Sequence, residues 1–275
     1  MKILTLNTHS LSEKNGEQKR LETAKFIAKN KPDVITLQEV NQTIEKKTIK
    51  PDALFKGKIS LNKELKEDNY ASALIEDIKA LGVQYYWVWI PVKVGYDKFD
   101  EGLAILSLHP IVNTENLLLT HTDDFSFWKK RNALGVKINI NEKPVWIYTV
   151  HMGWWKDEEE PFIDQWNWLN QHIQTKNETV YLAGDFNAPD DIHDQSYDQV
   201  IKDGWFDTYK LAKETYGHDT AKGQIDGWKD GQVEGMRIDY ILCNQNKNIK
   251  KHEVVFDGDN GPIVSDHFGI LMEEE

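Results

Sequence analysis

The chain has 275 residues, of which 40% are hydrophobic and 28% charged, and its formal net charge at pH 7 is −12. This composition is ordinary for a soluble globular protein. The acidic net charge argues against a nonspecific nucleic-acid binder, because such proteins neutralise phosphates with Lys and Arg. A local basic patch on an acidic chain would still allow nucleic-acid binding. The single cysteine, Cys243, excludes an internal disulfide framework.

The start of the chain runs directly into an apolar segment, KILTLN, without the basic and apolar regions of a secretory signal peptide. The longest apolar run, YYWVWIPV at 85–92, is too short to span a membrane. We therefore expect a soluble cytoplasmic protein that makes no membrane contact, and we expect it to be a monomer.

Short apolar runs alternate with amphipathic stretches along the whole chain. In chain order, the predicted elements are strand 2–7, helix 17–30, strand 33–38, helix 71–82, strands 84–94, 102–107, 110–119, 132–140 and 144–151, helix 159–174, strand 179–184, helix 194–203, and strands 237–243, 252–256 and 265–272. Residues 41–67 are lysine-rich and irregular, and we expect an excursion from the core there. This mixture predicts one α/β domain over residues 1–275 with two packed sheets.

Polar side chains end or follow most of the predicted apolar strands. The set comprises Asn7, Glu39, His151, Asp185, Asn187, Asp239, Asp266 and His267. Residues at i and i+2 of an extended segment face the same side, so Asp185 and Asn187 can converge on one point. Any one of these residues alone is more often a turn former. As a set they predict a ligand site, because binding residues gather in the loops that follow strands.

The residue types at these strand ends indicate the chemistry. Carboxylates and carboxamides are hard oxygen donors, which suit Mg²⁺ or Mn²⁺ better than zinc. The chain has no Cys cluster, no HExxH, no GxxxxGK[ST] or GxGxxG loop and no GxSxG elbow. These absences argue against thiolate and zinc enzymes, nucleotide-cradling loops and α/β-hydrolases. Oxygen ligands beside two histidines predict metal-assisted hydrolysis of a phosphate ester.

The ordered motifs LNTHS, LQEV, EGLAILS, TVHMGWW, GDFNAP, RIDYIL and VSDHFG resemble those of the endonuclease/exonuclease/phosphatase superfamily. The resemblance extends from residue 3 to residue 272. It implies a four-layer α/β/β/α sandwich, in which two mixed β-sheets pack together between outer helices. It also implies hydrolysis of phosphate esters with Mg²⁺, and Mn²⁺ is the other candidate ion.

The resemblance implies a metal site held chiefly by Glu39, with Asn7 beside it and Asp266 as a further ligand. Asp185 would orient or deprotonate the attacking water, and Asn187 would position the phosphate. These roles place the metal and the water on the same cleft.

The resemblance gives the other polar residues roles around the phosphate. His151 would donate a hydrogen bond to the phosphoryl oxygens. Asp239 would orient a histidine and raise its basicity, and His267 would contact the phosphate or act as an acid or base. The identity of the general base stays open, with Asp185 as the favoured residue.

The segment HMGWW resembles a bacterial intracellular branch of the superfamily that includes maltose 6'-phosphate phosphatase. It implies a small phosphorylated sugar as substrate, most specifically maltose 6'-phosphate. Trp154, Trp155 and Trp228 are candidate sugar contacts, because aromatic faces pack well against rings, but core or loop positions are the alternative. Arg131 is the candidate cation for the phosphate, against the alternative of a solvated loop residue.

Three other functions stay open on the sequence alone. A nuclease would use the same catalytic residues and would bind nucleic acid with steep salt dependence. A phosphodiesterase for lipid head groups would need an exposed apolar hairpin for membrane contact. A non-catalytic binding module would have no need of the intact polar set.

Overall fold

The computed structural model describes residues 1–57, 63–223, 225, 228 and 233–275. The helices are α1 (Gly16–Asn30), α2 (Tyr70–Ala80), α3 (Phe162–Ile173), α4 (Ser196–Lys202) and α5 (Thr208–Leu211), with a 3₁₀ helix at Ser10–Ser12. The strands are β1 (Lys2–Asn7), β2 (Val34–Thr43), β3 (Tyr86–Gly95), β4 (Phe99–Ser107), β5 (Asn113–Leu118), β6 (Asn132–Ile140), β7 (Lys143–His151), β8 (Thr179–Asp185), β9 (Phe206–Asp207), β10 (Glu214–Tyr216), β11 (Ala221–Gly223), β12 (Val233–Met236), β13 (Asp239–Cys243), β14 (Ile249–Val255) and β15 (Gly269–Glu274).

Two large mixed sheets contain most of these strands. The first sheet has the order β10-β14-β15-β1-β2-β4-β3 and the second β5-β6-β7-β8-β13-β9, while β11 and β12 form a separate pair. Strands β1 and β2 are parallel, and β4 is antiparallel to β2. Likewise β7 and β8 are parallel, and β13 is antiparallel to β8. The ends of β7 and β8 and the start of β13 therefore lie at one edge of the second sheet.

Three hydrophobic cores confirm the predicted α/β/β/α layers. Helices α1 and α2 cover the outer face of the first sheet with residues such as Ile27 and Leu74. Helices α3 and α4 cover the second sheet with Trp166, Leu169 and Val200. Between the sheets lies a third core, which draws on both sheets and includes Ile3, Val88, Ile105, Val136, Ile147, Tyr181 and Ile241.

The side chains that face the opposite sheet change from apolar to polar toward one edge of the sandwich. In β1 this inward series runs from Ile3 to Asn7, and in β8 it runs from Tyr181 to Asp185. Strand β7 shows the same order, with Ile147, Thr149 and His151. Strands β4 and β13 run in the opposite direction, so the polar residue comes first in their sequence: Glu101 before Leu103 and Ile105, and Asp239 before Ile241 and Cys243. The described inward residues of these strands are therefore polar at this edge.

A buried hydrogen bond ties the two sheets together directly below that edge. The Gln38 Nε2 of β2 donates to the Thr149 Oγ1 of β7 at 2.7 Å and to the Thr5 Oγ1 of β1 at 3.3 Å. All three residues are at most 1% exposed. This bond fixes the spacing of the sheets beneath the polar side chains.

Most predicted element boundaries lie within a few residues of the observed ones, but two differences matter. Strands β9 to β12 were not predicted, because segments of two to four residues show no periodicity. The strand predicted at 265–272 begins only at Gly269. Ser265 leaves the sheet because its Oγ donates to the Asn7 carbonyl at 2.7 Å, and the His267 N–H donates to the Ser265 Oγ at 3.3 Å.

The lysine-rich stretch 41–67 is only partly an excursion. Strand β2 continues through it to Thr43, and isolated bridges pair Thr48 with Lys66 and Phe55 with Trp87. Residues 58–62 of this stretch lie outside the described residues. The division into one domain stays a prediction.

Among the described residues, no helix combines the length and the apolar character that crossing a membrane requires.

We predict that Gly184→Ala destabilises the fold more than Gly82→Ala, although both glycines have positive φ. A Cβ at Gly184 (φ +145°) would lie 2.1 Å from the Val150 carbonyl oxygen, whereas a Cβ at Gly82 (φ +85°) would meet nothing within 4 Å. The Gly82 variant should lose about 1–2 kcal/mol for its left-handed backbone, and the Gly184 variant about 1–3 kcal/mol more for the clash. Urea denaturation of the two variants measures the difference, and equal losses would contradict the close approach of β7 and β8.

Candidate active site

Three side chains from both sheets meet at the polar edge. The Asn7 amide Nδ2 donates to the Glu39 Oε1 at 3.0 Å and to the Asp185 Oδ2 at 3.1 Å. Asn7 and Asp185 lie 178 positions apart in the sequence and are at most 1% exposed. One carboxamide therefore connects a carboxylate of the first sheet with a carboxylate of the second.

Glu39 reaches this point because β2 is irregular there. The pairing of β2 with β4 shifts register between Leu37 and Val40, and within this bulge Glu39 has a φ of +52°. Gln38 already faces inward, so a regular strand would turn Glu39 outward toward the helices. The bulge redirects the side chain toward the polar edge instead, and it does so with a strained, left-handed backbone at a non-glycine residue.

A histidine lies between two buried carboxylates behind Asp185. The His267 Nδ1 is 2.9 Å from the Asp239 Oδ2, and its Nε2 is 3.8 Å from the Asp185 Oδ2. Burial opposes a charge on His267, but the two carboxylates outweigh it and hold its pKa well above the usual value. His267 is therefore an imidazolium at neutral pH, oriented by Asp239.

The carboxylate of Asp185 is one of two acids at the centre of the site whose pKa is strongly raised. Burial raises its pKa to about 6, with the charge of His267 opposing the rise and that of Asp239 adding to it. A carboxylate whose pKa lies close to neutral pH can accept a proton from water and return it.

His151 faces the same carboxylate, but its surroundings lower its pKa, whereas those of His267 raise the pKa of that ring. The His151 Nε2 is 3.6 Å from the Asp185 Oδ2. Burial, together with the positive charges of Arg131, Lys93 and His267, holds the pKa of His151 well below its usual value. His151 is therefore neutral at pH 7 and can donate one hydrogen bond without a formal charge.

Asn187 is held by three contacts in the turn that follows β8. With φ +47°, it donates its backbone N–H to the Asp185 Oδ1 at 2.8 Å. Its Nδ2 donates to the Met152 carbonyl at 2.9 Å, and its Oδ1 accepts from the Trp228 Nε1 at 3.1 Å. Trp228 thus acts on the site through the orientation of Asn187.

A cavity of about 270 Å³ opens above these residues. Its base includes Glu39, His151, Asp185 and Asn187. The remaining described lining comprises the charged Lys93, Glu101 and Arg131, the hairpin residues Val94, Gly95 and Tyr96, and the indoles of Trp128 and Trp154. The cavity therefore combines the polar edge with charged and aromatic walls.

Arg131 is a buried cation in this lining. The residue is 3% exposed, its Nε is buried without a hydrogen-bond partner, and its guanidinium carbon lies 5.7 Å from the centre of the Trp154 ring. Within the described part of the chain, no carboxylate forms an ion pair with it. Burying a charge without a counterion is costly, so this position fits an anionic ligand.

The structure does not bring every predicted residue to the cavity. Trp155 packs against Phe162, with ring centres 6.2 Å apart, and lies outside the lining. Asp266 lies beside the site, where its Oδ1 is 3.8 Å from the His9 Nδ1. Trp154 and Arg131 do line the cavity, as their candidate roles require.

Sequence reasoning assigned no role to Lys93, Glu101 and Trp128. Glu101 stands two residues before Leu103 on the inward face of β4, so the alternation could have revealed it. Lys93 follows a register shift that interrupts the alternation in β3, so no periodic signal marks it. Trp128 lies in an irregular loop and is 53% exposed.

Carboxylates crowd together around Glu39. Burial raises the pKa of Glu39 to about 7, and the charges of Glu101 and Asp266 add to the rise. Among the described residues, two trios place potential ligand atoms within 4.8 Å of one another: His9, Glu13 and Asp266, and Asp185, Asp239 and His267. A divalent cation would relieve this repulsion, and oxygen-rich ligands suit Mg²⁺ or Mn²⁺. The donor set therefore fits a hard cation.

Sequence comparison identifies the class of protein that this fold and site define. The profile of the Endonuclease/Exonuclease/phosphatase family matches residues 4–267, and the chain belongs to this family. Members of the family are hydrolases and generally use a divalent metal. No curated protein matches the chain.

Several solved structures share the fold. An endonuclease/exonuclease/phosphatase family protein from Leptotrichia buccalis C-1013-b is 30% identical, with a TM-score of 0.88 over 100% of this chain and 99% of that one. A mannosyl-6-phosphatase from Bacteroides thetaiotaomicron VPI-5482 is 18% identical, with a TM-score of 0.65 over 99% and 98% of the two chains. TDP2 from D. rerio, complexed with a single-strand DNA product, is 16% identical, with a TM-score of 0.65 over 99% and 97%.

We predict that the metal-free protein loses stability as the pH rises, and that Glu39 causes part of the loss. The pKa of Glu39 is raised to about 7 in the folded protein. Between the ordinary pKa of a glutamate and pH 7, the folded protein therefore binds more protons at Glu39 than the unfolded chain does. Its free energy of unfolding falls as the pH rises through that range. The melting temperature in EDTA is measured at about pH 5 and about pH 8. Its drop between the two pH values should be at least ~3 °C larger for the wild type than for Glu39→Gln.

The same melting experiment tests the metal site. Adding Mg²⁺ at the higher pH should raise the melting temperature of the wild type and raise that of Glu39→Gln much less. Glu45→Gln, at an exposed position, is the matched control and should behave as the wild type. An identical pH dependence in wild type and Glu39→Gln would contradict the raised pKa.

Proposed function

We propose that the protein is a Mg²⁺-dependent phosphomonoesterase that acts in the cytoplasm on a small phosphorylated sugar, with maltose 6'-phosphate as the first substrate to test. One observation carries the proposal: the buried guanidinium of Arg131 shares a cavity with Asp185, His151 and Glu39 and has no carboxylate partner in the described chain. A phosphoryl group bound there would pair with the Arg131 guanidinium and would lie in the same cavity as the Asp185 carboxylate.

Asp185 activates the attacking water in this proposal. Its pKa of about 6 leaves most of the carboxylate ionised at neutral pH and still basic enough to take a proton. The His267 imidazolium, 3.8 Å from the Asp185 Oδ2, holds that oxygen in place. Asp239 in turn fixes the His267 ring through its Nδ1.

Arg131 and His151 bind the phosphoryl oxygens. Arg131 offers a planar pair of donors that matches two oxygens, and His151, neutral at pH 7, adds a donor toward the charge that develops during displacement. Asn187, held by Met152 and Trp228, presents a carboxamide of fixed orientation to the same space.

Glu39 and Asp266, with Asn7 between the carboxylates, would hold the divalent cation. The bound ion would supply Lewis-acid stabilisation of the phosphoryl oxygens. Asn7 donates its Nδ2 to the carboxylates of Glu39 and Asp185, and its Oδ1 accepts the His9 N–H at 3.3 Å. The Asn7 side chain would therefore act on the cation chiefly by placing Glu39.

The aromatic rim supports a sugar as the leaving group. The rings of Trp128 and Trp154 lie 6.1 Å apart at 50°, and Tyr96 stands on the hairpin side of the same cavity. Indole faces stack well on the apolar faces of sugar rings. The mannosyl-6-phosphatase of the same fold supports sugar phosphates as a substrate class at the level of the fold.

A nuclease is the alternative, since TDP2 shares the fold. Nucleic-acid binding depends on free cations beside the site. The two lysines that precede Arg131 in the sequence are already paired: the Lys129 Nζ lies 2.8 Å from Asp157, and the Lys130 Nζ lies 2.6 Å from Asp123. These pairings favour a small substrate.

We predict that the protein releases inorganic phosphate from maltose 6'-phosphate or another sugar phosphate with Mg²⁺ and not with EDTA. Asp185→Asn should lower kcat by about 10²- to 10⁴-fold, because it removes the proton acceptor. Asp191→Asn, at an exposed position six residues further on, is the matched control and should retain activity. A phosphate-release assay with single-stranded DNA as a parallel substrate measures both functions.

The outcomes separate the two candidates. Turnover of sugar phosphates without cleavage of DNA supports the phosphomonoesterase. Cleavage of DNA without release of phosphate from any sugar phosphate would replace it with the nuclease.

A further inference from the structure

A buried ion pair stands beside the catalytic side chains and has no role in the mechanism above. Lys93 and Glu101 are cross-strand partners in β3 and β4, and the Lys93 Nζ is 3.2 Å from the Glu101 Oε1. Their side chains are only 10% and 8% exposed. Both line the cavity, so the pair sits inside the ligand space and not on the outer surface.

The pair lies where the apolar core between the sheets ends. A second, much smaller cavity has Val92 and Leu103 on its apolar side, and its polar side consists of Lys93, Glu101, Arg131, Asn132 and His151. The two cations are close enough that the positive charge of Arg131 contributes to lowering the pKa of Lys93, after burial. Lys93 and Arg131 therefore form one cationic wall that starts directly at the core.

The two cations of this wall have hydrogen-bond donors that the described residues leave unused. Lys93 and Arg131 are the cationic side chains in the described lining, and Glu101 pairs with Lys93. Arg131 forms no ion pair among the described residues, although the charges of Glu101, Asp185 and Glu39 act on it. The Lys93 ammonium has three donors, of which Glu101 uses one. Two or more donors on each cation are thus available to a ligand.

This surplus distinguishes two kinds of phosphate ester. A phosphate monoester above its second pKa of about 6 is a dianion with three terminal oxygens, whereas a diester is a monoanion with two. Arg131 alone can satisfy a diester with its two-pronged guanidinium. A second cation beside it is attracted to either ester, but it gains more from the further charge and the third oxygen of a monoester.

We propose that Lys93, held by Glu101, is a specificity-determining residue that makes the site selective for the dianionic terminal phosphate of a monoester over a diester. This proposal rests on the proposed phosphomonoesterase function and deepens it. Lys93 contacts the additional terminal oxygen, while Arg131 holds the other two. Glu101 is a positioning residue that keeps the Lys93 ammonium on the cavity wall.

A binding experiment with non-hydrolysable ligands tests the proposal. Phenylphosphonate, at a pH where it is a dianion, and its monomethyl ester, a monoanion, have the same aromatic group and differ by one charge. Titration calorimetry with Mg²⁺ measures both affinities in the wild type and in Lys93→Met. The variant should bind the dianion about 10- to 100-fold more weakly and the monoanion less than about 3-fold more weakly.

Two further variants keep the test valid if Lys93→Met folds poorly because it leaves Glu101 unpaired. Lys93→Met combined with Glu101→Gln removes both charges, which costs far less stability than removing one, and should show the same loss of dianion selectivity. Lys98→Met, an exposed lysine of the same hairpin, should leave both affinities unchanged.

An unchanged ratio of the two affinities in both Lys93 variants would overturn the proposal, as would a wild type that binds the two ligands equally. Neither result depends on turnover. A protein that shows the selectivity but releases no phosphate from sugar phosphates would retain this inference and lose the proposed function.

Discussion

The whole site depends on one constraint: the inward faces of two sheets are apolar along most of their length and polar at one edge. In β8 the change occurs over the last inward residue, from Ala183 to Asp185, and in β1 the inward series runs from Ile3 through Thr5 to Asn7. Buried polar groups must be paired, and the amide of Asn7 pairs the carboxylates across the sheets. The packing that buries the core therefore also brings these polar side chains together.

Neighbouring charges then give chemically similar side chains different protonation states. His267, between Asp185 and Asp239, is held in its charged form, whereas His151, beside Arg131, is held neutral. The carboxylate of Asp185 lies between the two rings with a pKa of about 6. One histidine is thus suited to orient the carboxylate and the other to donate a hydrogen bond, which is the pattern expected of a site with divided acid–base roles.

Sequence patterns were informative wherever alternation was regular. The succession of strands and helices predicted two packed sheets, and the family resemblance implied the four layers. Asp185 and Asn187 do line one cavity, but Asn187 lies beyond β8 with φ +47°, so strand period does not account for its position. The alternation could not place Lys93, since a register shift precedes it, and it could not separate Trp154, which lines the cavity, from Trp155, which packs on Phe162. Those outcomes depend on loop geometry and on bulges, and the sequence carries no periodic signal for either.

The most direct test of the central claim is anomalous diffraction from crystals grown with Mn²⁺ and inorganic phosphate. If the polar edge is a single metal-dependent phosphate site, an anomalous peak should lie about 2–2.3 Å from a Glu39 oxygen, and the phosphate should contact both Arg131 and His151. Mn²⁺ bound elsewhere on the chain, with the phosphate absent from the cavity that contains Asp185, would contradict the account.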